Sequence, residues 1–405
     1  MSKVPFKSAN ILIPKNADMN KWSVVACDQY TSEPEYWHKV EEYVGDKPST
    51  LNLIYPEVYL EDGNDNRISN INSAMDKYLD DGIFDCYEDS MIYVERTVLN
   101  GKIRKGIVGA VDLEHYDYHK GSKSLVRATE GTVLERIPPR VKVRINAKLE
   151  LPHIMLLIDD EKDVVFGSVN KIDKVYDFDL MCESGHITGY TIDTKAVNEG
   201  LEKLYDATKS DNHLFFAVGD GNHSLATAKE CWEQIKATLT DEQRDNHPAR
   251  YALVELVNIH DTALEFEPIH RVVFNCDPQG LIEAMKKYYP NANTDGNGQK
   301  ITYVYGDVKG DIYVPDAPSE LTVGTLQIFL DHYLKASNAK IDYIHGDDVT
   351  VNLAKQDNAI GFLLPAMEKS QLFKTVVADG ALPRKTFSMG EAWEKRFYLE
   401  ARKVR

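Results

Sequence analysis

Apolar and polar positions fall into short blocks along the chain, and the period of the blocks switches between that of a strand and that of a helix. The apolar runs at 154–158, 187–192 and 214–218 are short and bounded by polar residues or glycine, the pattern of core strands. Two more runs, 91–98 and 103–111, flank Asn100-Gly101, a pair that readily takes positive φ, which predicts a β-hairpin. Helical spacing predicts helices at 73–81, 194–208, 224–238, 280–288 and 321–336. Strand-like and helical blocks interleave without an internal repeat, so the expected fold class is α/β in the mixed α+β sense, and a bundle, sandwich or solenoid is excluded. The polar segment PNANTDGNGQK at 290–300 reads as a linker or surface loop between a main domain, 1–289, and a C-terminal α/β part, 301–405.

The stretch LFFAVGDGNHSLATAKECW at 214–232 is the richest in information. A short apolar strand runs into Gly219 and Gly221, which permit a sharp turn, and helical composition follows at once. Asp220, Gly221, Asn222, His223 and Ser224 therefore sit where backbone N–H groups and the positive end of a helix dipole converge, a place that holds phosphate or carboxylate. A plain reading is also open, in which Asp220 or Asn222 caps a helix after a core strand.

Composition narrows the partners. The chain has 405 residues, with Lys plus Arg 47 against Asp plus Glu 64 and a net charge of -17. That balance argues against nucleic acid or an anionic membrane as the main partner and leaves small molecules. The five cysteines, at 27, 86, 182, 231 and 276, form no CxxC pair, so neither a zinc ribbon nor a disulfide framework is expected. With no apolar signal core at the start and no run of about 18 apolar residues, the expectation is a soluble, unprocessed cytoplasmic protein.

Against this acidic background SLVRATEGTVLERIPPRVKVR at 124–144 concentrates positive charge. Arg127, Arg136 and Arg140 offer planar forks suited to phosphate oxygens, Thr129 and Thr132 offer hydroxyls, and Glu130 and Glu135 offer carboxylates. The alternative is a solvated amphipathic helix, although Pro138-Pro139 is unusual within one. Further on, ELVNIHDTALEFEPIHRVVF at 255–274 reads as two strands whose ends carry Asn258, Asp261, His270 and Arg271, either lining a cleft or making structural bonds across a loop. Near the start, Cys27, Asp28, Gln29 and Tyr30 follow a short apolar run, and Ser32-Glu33-Pro34-Glu35 begins a helix. Cys27 reads as a small buried residue, since no base partner for a nucleophile is identifiable. His115, Asp117 and His119 would share one face if extended, a pattern that polar strands also produce freely. Arg384 and Lys385, in PRKTFS at 383–388, either close over an anion or are surface charge.

In this order RATEGTVLER, GDGNHSLATAK, the 258–271 region and PRKTFS resemble a bacterial and archaeal family known as a domain of unknown function, over essentially the whole chain. That family is in turn remotely similar to the ParB and sulfiredoxin superfamily, which includes free serine kinases with an Asp-Gly-His-His-Arg phosphate-binding signature. Here the corresponding residues are Asp220, Gly221, Asn222, His223 and Ser224, so a His is replaced by Asn222 and the Arg by Ser224. The Asp-Gly-Asn-His-Ser form resembles the pyrophosphate-dependent serine kinases, and the lost arginine argues against a nucleotide donor.

What the resemblance implies is a ParB-like core that moves a phosphoryl group from diphosphate to the hydroxyl of free L-serine, giving O-phospho-L-serine and phosphate. Gly221, Asn222, His223 and Ser224 would cradle the diphosphate, supplemented by Arg127, Arg136 and Arg140 with Thr129 and Thr132. Asp220 or Glu130 would be the general base, with Glu135 in reserve for that role or for a metal. Asn258, Asp261, His270 and Arg271 would hold the serine. Magnesium is the expected cation, and because it often takes few protein ligands no ligand set is named. Alternatives are an ATP- or ADP-dependent serine kinase, a phosphoserine-consuming enzyme running the reverse chemistry, and a non-catalytic ParB-like module that binds a nucleotide.

Overall fold

In the central strands apolar residues occupy successive positions, and the computed structural model, which describes residues 3–31, 33–62, 65–98, 101–132 and 134–405, shows the cause: one large sheet is covered on both faces. Across it the strands run in the order Lys171–Asp179, His186–Ile192, Ile92–Thr97, Ile103–Asp112, Tyr251–Asn258, Met155–Ile158, Phe216–Asp220, Val126–Ala128 and Tyr116–Asp117, with Phe6–Lys7 beside Ile103–Asp112. Residues alternate between two cores. Ile92, Val94, Val108, Ala110 and Leu253 enter one cluster, while Tyr93, Ile107, Val111, Ala252 and Val254 enter the other. Leu156 and Leu157 point to opposite faces and both are fully buried, each side chain contributing about 1.5–3 kcal/mol relative to exposure.

The chain divides into two compact units, one of Met1–Leu264 with Gly390–Arg405, the other of Glu265–Met389. Within the second unit a sheet runs Val308–Val314, Gln299–Tyr305, Ala359–Leu363, Phe266–Phe274 and Lys340–His345, and Phe387–Met389 pairs with the start of Phe266–Phe274. The division differs from the one expected at 290–300. That segment lies inside the second unit, where Asn293 and Tyr313 exchange backbone hydrogen bonds of 2.9 Å and Gln299 already begins a strand. Glycine and polar content marks a turn but does not distinguish a turn within a unit from a linker between units.

After the second unit the chain re-enters the first. Arg402–Lys403 pairs with Leu149–Glu150, and single bridges join Ala401 to Leu12 and Phe397 to Val25. Buried charge fixes this return: Arg402 Nε donates to Glu150 at 2.7 Å, Arg144 meets the same carboxylate, and Arg396 lies between Glu255 at 2.9 Å and Glu400 at 2.7 Å. Removing one partner of such a buried pair costs about 3–5 kcal/mol.

Most predicted elements are present with shifted ends. The helices are Asp65–Asp80, Thr194–Thr208, Asn222–Lys236, Pro278–Tyr288 and Thr322–Lys335. Ile92–Thr97 pairs antiparallel with Ile103–Asp112 as the hairpin reading requires, while Leu99 and Asn100 lie outside the described residues. Helix Pro34–Val44 starts where expected, with Ser32 outside the described residues. The basic stretch differs from a single amphipathic helix: it comprises strand Val126–Ala128, a tight turn Leu134–Arg136 and helix Ile137–Arg144. Pro138 and Pro139 occupy the first helical turn, where a missing N–H costs nothing, so they begin this helix. No helix among the described residues is long and apolar enough to cross a membrane.

Candidate active site at the start of helix Asn222–Lys236

Strand Phe216–Asp220 runs parallel to Val126–Ala128 on one side and antiparallel to Met155–Ile158 on the other, so its end is held from both flanks. Gly221 then turns the chain with φ 76° and ψ 28°, a left-handed geometry that glycine adopts freely. There is a second reason for glycine: a Cβ would stand 3.0 Å from both Ile154 Cα and Cγ1 and 3.4 Å from His153 Cδ2. With glycine as N-cap, no side chain caps helix Asn222–Lys236, and the positive end of a helix of 15 residues faces the loop. Asn222 instead turns back to the neighbouring strand end, where the Thr129 N–H donates to its Oδ1 at 3.3 Å and Thr129 Oγ1 donates to the Val218 carbonyl at 2.6 Å. Asp220 accepts from the Gly221 N–H at 2.9 Å and its other oxygen lies 3.3 Å from Lys395 Nζ. His223 is half-buried on the first turn, and its carbonyl accepts from Thr227 Oγ1 at 2.7 Å.

On the side of the first turn facing Ile154, a chain of polar groups begins. Ser224 Oγ lies 3.0 Å from His153 Nε2, His153 Nδ1 lies 2.6 Å from the Tyr398 hydroxyl, and Tyr398 donates to Cys27 Sγ at 3.1 Å. Asp28 Oδ2 stands 3.8 Å from His153 Nε2. Burial acts to raise the Asp28 carboxyl, but His153, Gln29 and Lys395 together outweigh it and hold the group below its usual range. Burial, with Asp28 and Glu57 adding to it, pushes the Cys27 thiol up, so the sulfur is a neutral acceptor here. Glu57 is also raised, by burial first, although Arg140 opposes the shift through a hydrogen bond of 3.0 Å from its Nε.

Cys27, Glu57, Arg140, His153, Ser224 and Tyr398 line a cavity of about 140 Å³ whose remaining wall is largely apolar, including Leu53, Leu60, Met75 and Val143. Arg144, Glu150 and Thr227 also belong to its polar lining. Apolar enclosure with a few convergent polar groups is the usual form of a small-molecule site.

The expected site residues divide into those that gather here and those held elsewhere. Asp220, Gly221, Asn222, His223, Ser224 and Thr129 assemble around the loop, and Arg140 reaches the cavity. Glu130 follows Thr129 and is half-buried, and Thr132 Oγ1 is buried without a hydrogen-bond partner among the described residues. Glu135 is exposed on the turn that Arg136 ends. Arg127 departs from its expected role: it is 2% exposed, and its guanidinium donates to the Ser124 carbonyl at 2.7 Å and the His213 carbonyl at 3.2 Å. Burial lowers its pKa. An arginine spent on backbone carbonyls stiffens the strand end and does not offer its fork to an anion.

The four residues expected to hold serine fall in different units, Asn258 and Asp261 in the first and His270 and Arg271 in the second. In the first unit Asn258 donates to the Asp160 carbonyl at 2.9 Å, and Asp261 accepts from the Lys105 N–H at 2.9 Å. In the second, His270 Nδ1 accepts from the Leu364 N–H at 3.1 Å, while buried Arg271 donates to the Gln327 side chain and to the Ile269 and Arg384 carbonyls. Each is occupied by a structural bond. His119 pairs with Asp117 at 2.7 Å, and His115 lies in a turn before the short strand, so the trio is not one extended face. Among the described residues no group of three or more His, Cys, Asp or Glu is arranged to hold a metal ion.

His153, Glu57, Lys395 and Tyr398 carry no local motif and were not singled out from the sequence. His153 follows Pro152 in a segment without periodicity, and Lys395 and Tyr398 arrive with the returning C-terminal segment. Cys27 and Asp28 carry one sequence signal, their position after an apolar run.

Among solved structures the chain is similar to a free serine kinase in complex with AMP, at 10% identity and a TM-score of 0.39, covering 73% of this chain and 91% of that one. It is also similar to C-terminally truncated SbnI from Staphylococcus aureus, at 10% identity and TM-score 0.37 over 72% and 82% of the two chains. A conserved hypothetical protein from Pyrococcus furiosus gives 11% identity and TM-score 0.36 over 73% and 94%. No curated protein matches the chain. The family model described as "Protein of unknown function (DUF1015)" matches residues 5–374, and the protein belongs to that family.

Proposed function

We propose that this protein transfers a phosphoryl group from diphosphate to the hydroxyl of free L-serine, giving O-phospho-L-serine and phosphate. The observation that carries the reading is the start of helix Asn222–Lys236, capped by Gly221 and by no side chain, next to the Asp220–Lys395 ion pair. A compact polyanion is held well by backbone N–H groups at a helix start together with a lysine, and it needs no base-binding slot. The resemblance of GDGNHSLATAK to the Asp-Gly-Asn-His-Ser form supports diphosphate over a nucleotide.

In this reading the donor sits across the first turn at Gly221 to Ser224, with Lys395 neutralising charge as it gathers on the leaving phosphate. Arg140 reaches the cavity and contributes after exchanging its contact with Glu57. Asp220, fixed by the Gly221 N–H, accepts the proton of the acceptor hydroxyl, and Glu130 is the alternative carboxylate. Carboxylates are weak bases near neutrality, but positioning and charge neutralisation supply most of the barrier reduction in phosphoryl transfer. Magnesium, the expected cation, would add charge neutralisation on the diphosphate when bound.

The test offers serine, threonine, homoserine and small polyols with diphosphate, ATP or ADP and detects the phosphorylated product directly. Phosphoserine formed from diphosphate, and lost in Asp220→Asn and His223→Ala, is the expected result. Product from ATP or ADP alone would refute the donor, release of phosphate from phosphoserine alone would refute the direction, and no product from any pair would refute the transfer.

A further inference from the structure

We propose that Ser224 is a nucleophile that carries the phosphoryl group covalently between donor and acceptor, with His153 as its base. The proposal rests on the transfer reading above and adds a step to it. Ser224 sits on the first turn of helix Asn222–Lys236, where a serine commonly bonds to nearby backbone, yet its Oγ is directed to His153 Nε2 at 3.0 Å.

The relay assigns the ring proton of His153 to Nδ1 and leaves Nε2 bare. The Tyr398 oxygen accepts from the Cys27 N–H at 3.3 Å, and its own proton goes to Cys27 Sγ at 3.1 Å. In this assignment the remaining lone pair, 2.6 Å from His153 Nδ1, accepts from that nitrogen, and Nε2 takes a proton from Ser224. His153 is 6% exposed, and its ring packs edge-on to Tyr398 with centroids 5.3 Å apart, which holds the orientation. Asp28, 3.8 Å from Nε2, stabilises the imidazolium formed when the proton arrives. A nucleophile paired with a base that a third group orients is the arrangement covalent catalysis requires. The cavity beside Ser224 and His153 leaves room for the group transferred, and the helix start stabilises a phosphoserine at this position.

The step balances as two displacements. In the first, Ser224 Oγ forms a bond to one phosphorus of the diphosphate trianion while the bridging P–O bond breaks, hydrogen phosphate leaves with the electron pair, and the serine proton passes to His153 Nε2. In the second, the acceptor oxygen bonds to phosphorus as the Oγ–P bond breaks, His153 returns its proton to Oγ, and the acceptor proton passes to Asp220 and then to water.

The test needs no variant at the outset. Wild-type protein incubated with diphosphate and radiolabelled phosphate, without acceptor, should move label into diphosphate, and peptide mass spectrometry should find phosphate on Ser224. Ser224→Ala should abolish both, and His153→Gln should slow exchange about 10²–10⁴-fold, the usual worth of a general base, with thermal melting checking that each variant is folded. Serine-dependent turnover at full rate with no exchange and no modified Ser224, or turnover retained by Ser224→Ala, overturns the relay and leaves the transfer standing. Exchange without phosphoserine upholds the relay and refutes serine as acceptor. Absence of exchange, modification and any product overturns both.

Discussion

Replacing Gly221 with alanine measures how closely the helix start approaches the strand that bears His153. Two costs add. At φ 76° an L-residue is in the left-handed region, at about 1–2 kcal/mol. Its Cβ would also meet Ile154 Cα and Cγ1 at 3.0 Å, and because one of these is a backbone atom beside the buried strand Met155–Ile158, the neighbour yields little. Overpacking of this kind costs about 1–3 kcal/mol, for a total of about 2–5 kcal/mol. Gly121→Ala separates the terms, since Gly121 has φ +81° but nothing within 4 Å of a built Cβ and should lose only the backbone part. Trp22, Trp37, Trp232 and Trp393 all lie in the first unit, so tryptophan fluorescence follows its unfolding selectively. At roughly 2–4 °C per kcal/mol for a body of this size, Gly221→Ala should melt roughly 4–20 °C below wild type and clearly below Gly121→Ala. Turnover should also fall by about 10²-fold if the strain is relieved by moving His153 near 1 Å from Ser224. Equal melting points for the two variants would refute the close approach, and a destabilised Gly221→Ala with unchanged turnover would refute the link to chemistry.

Other outcomes follow from the same geometry. Tyr398→Phe removes the acceptor of the His153 Nδ1 proton and of the Cys27 N–H. It should cost about 1–3 kcal/mol of stability and lower kcat with KM little changed. Glu150 is held below the usual carboxylate range because Arg402 and Arg144 outweigh the burial that would raise it. A depressed folded pKa means its contribution is full above its unfolded pKa and lost as pH falls through the folded one, so Glu150→Gln should be less stable by about 3–5 kcal/mol. The gap in denaturation midpoint should stay flat from about pH 5 to 8 and narrow only below about pH 4. Arg271→Ala should destabilise the second unit without altering KM for serine in the folded fraction, and a selective rise in KM would restore Arg271 as a substrate ligand. Iodoacetamide at neutral pH should modify exposed Cys182 at least about tenfold faster than Cys27, whose thiol burial pushes up.

Strands and helices were legible where one period dominates. Residues 194–208 were read to the residue because Asp193 caps the helix through the Lys195 and Ala196 N–H groups, a signal contained in the sequence. Helix Asn222–Lys236 starts two residues before the expected 224, since its cap is a backbone conformation of Gly221 and not a side chain. The surroundings of Arg127 and Arg271 were not legible for one reason: composition shows that an arginine is present but not whether backbone carbonyls already occupy its fork. Division into units was obscured because the first unit is discontinuous in sequence, and no local pattern announces that Gly390–Arg405 returns to it.

That discontinuity also explains why only half of the site could be read. Asp220 to Ser224 share one loop, and their types and spacing state their chemistry without reference to the rest of the chain. His153 and Tyr398 are 245 positions apart, and each has an unremarkable neighbourhood, so no local pattern announces their pairing, which lies close in sequence to the pairing of Arg402–Lys403 with Leu149–Glu150. Gly221 connects the two halves. Lacking a side chain, it leaves the helix start uncapped for an anion, and for the same reason it lets the first turn approach Ile154 closely enough for Ser224 to reach His153. A larger residue would disturb both the anion site and the Ser224–His153 contact, so the glycine of GDGNHS is a steric requirement of the chemistry as well as of the turn.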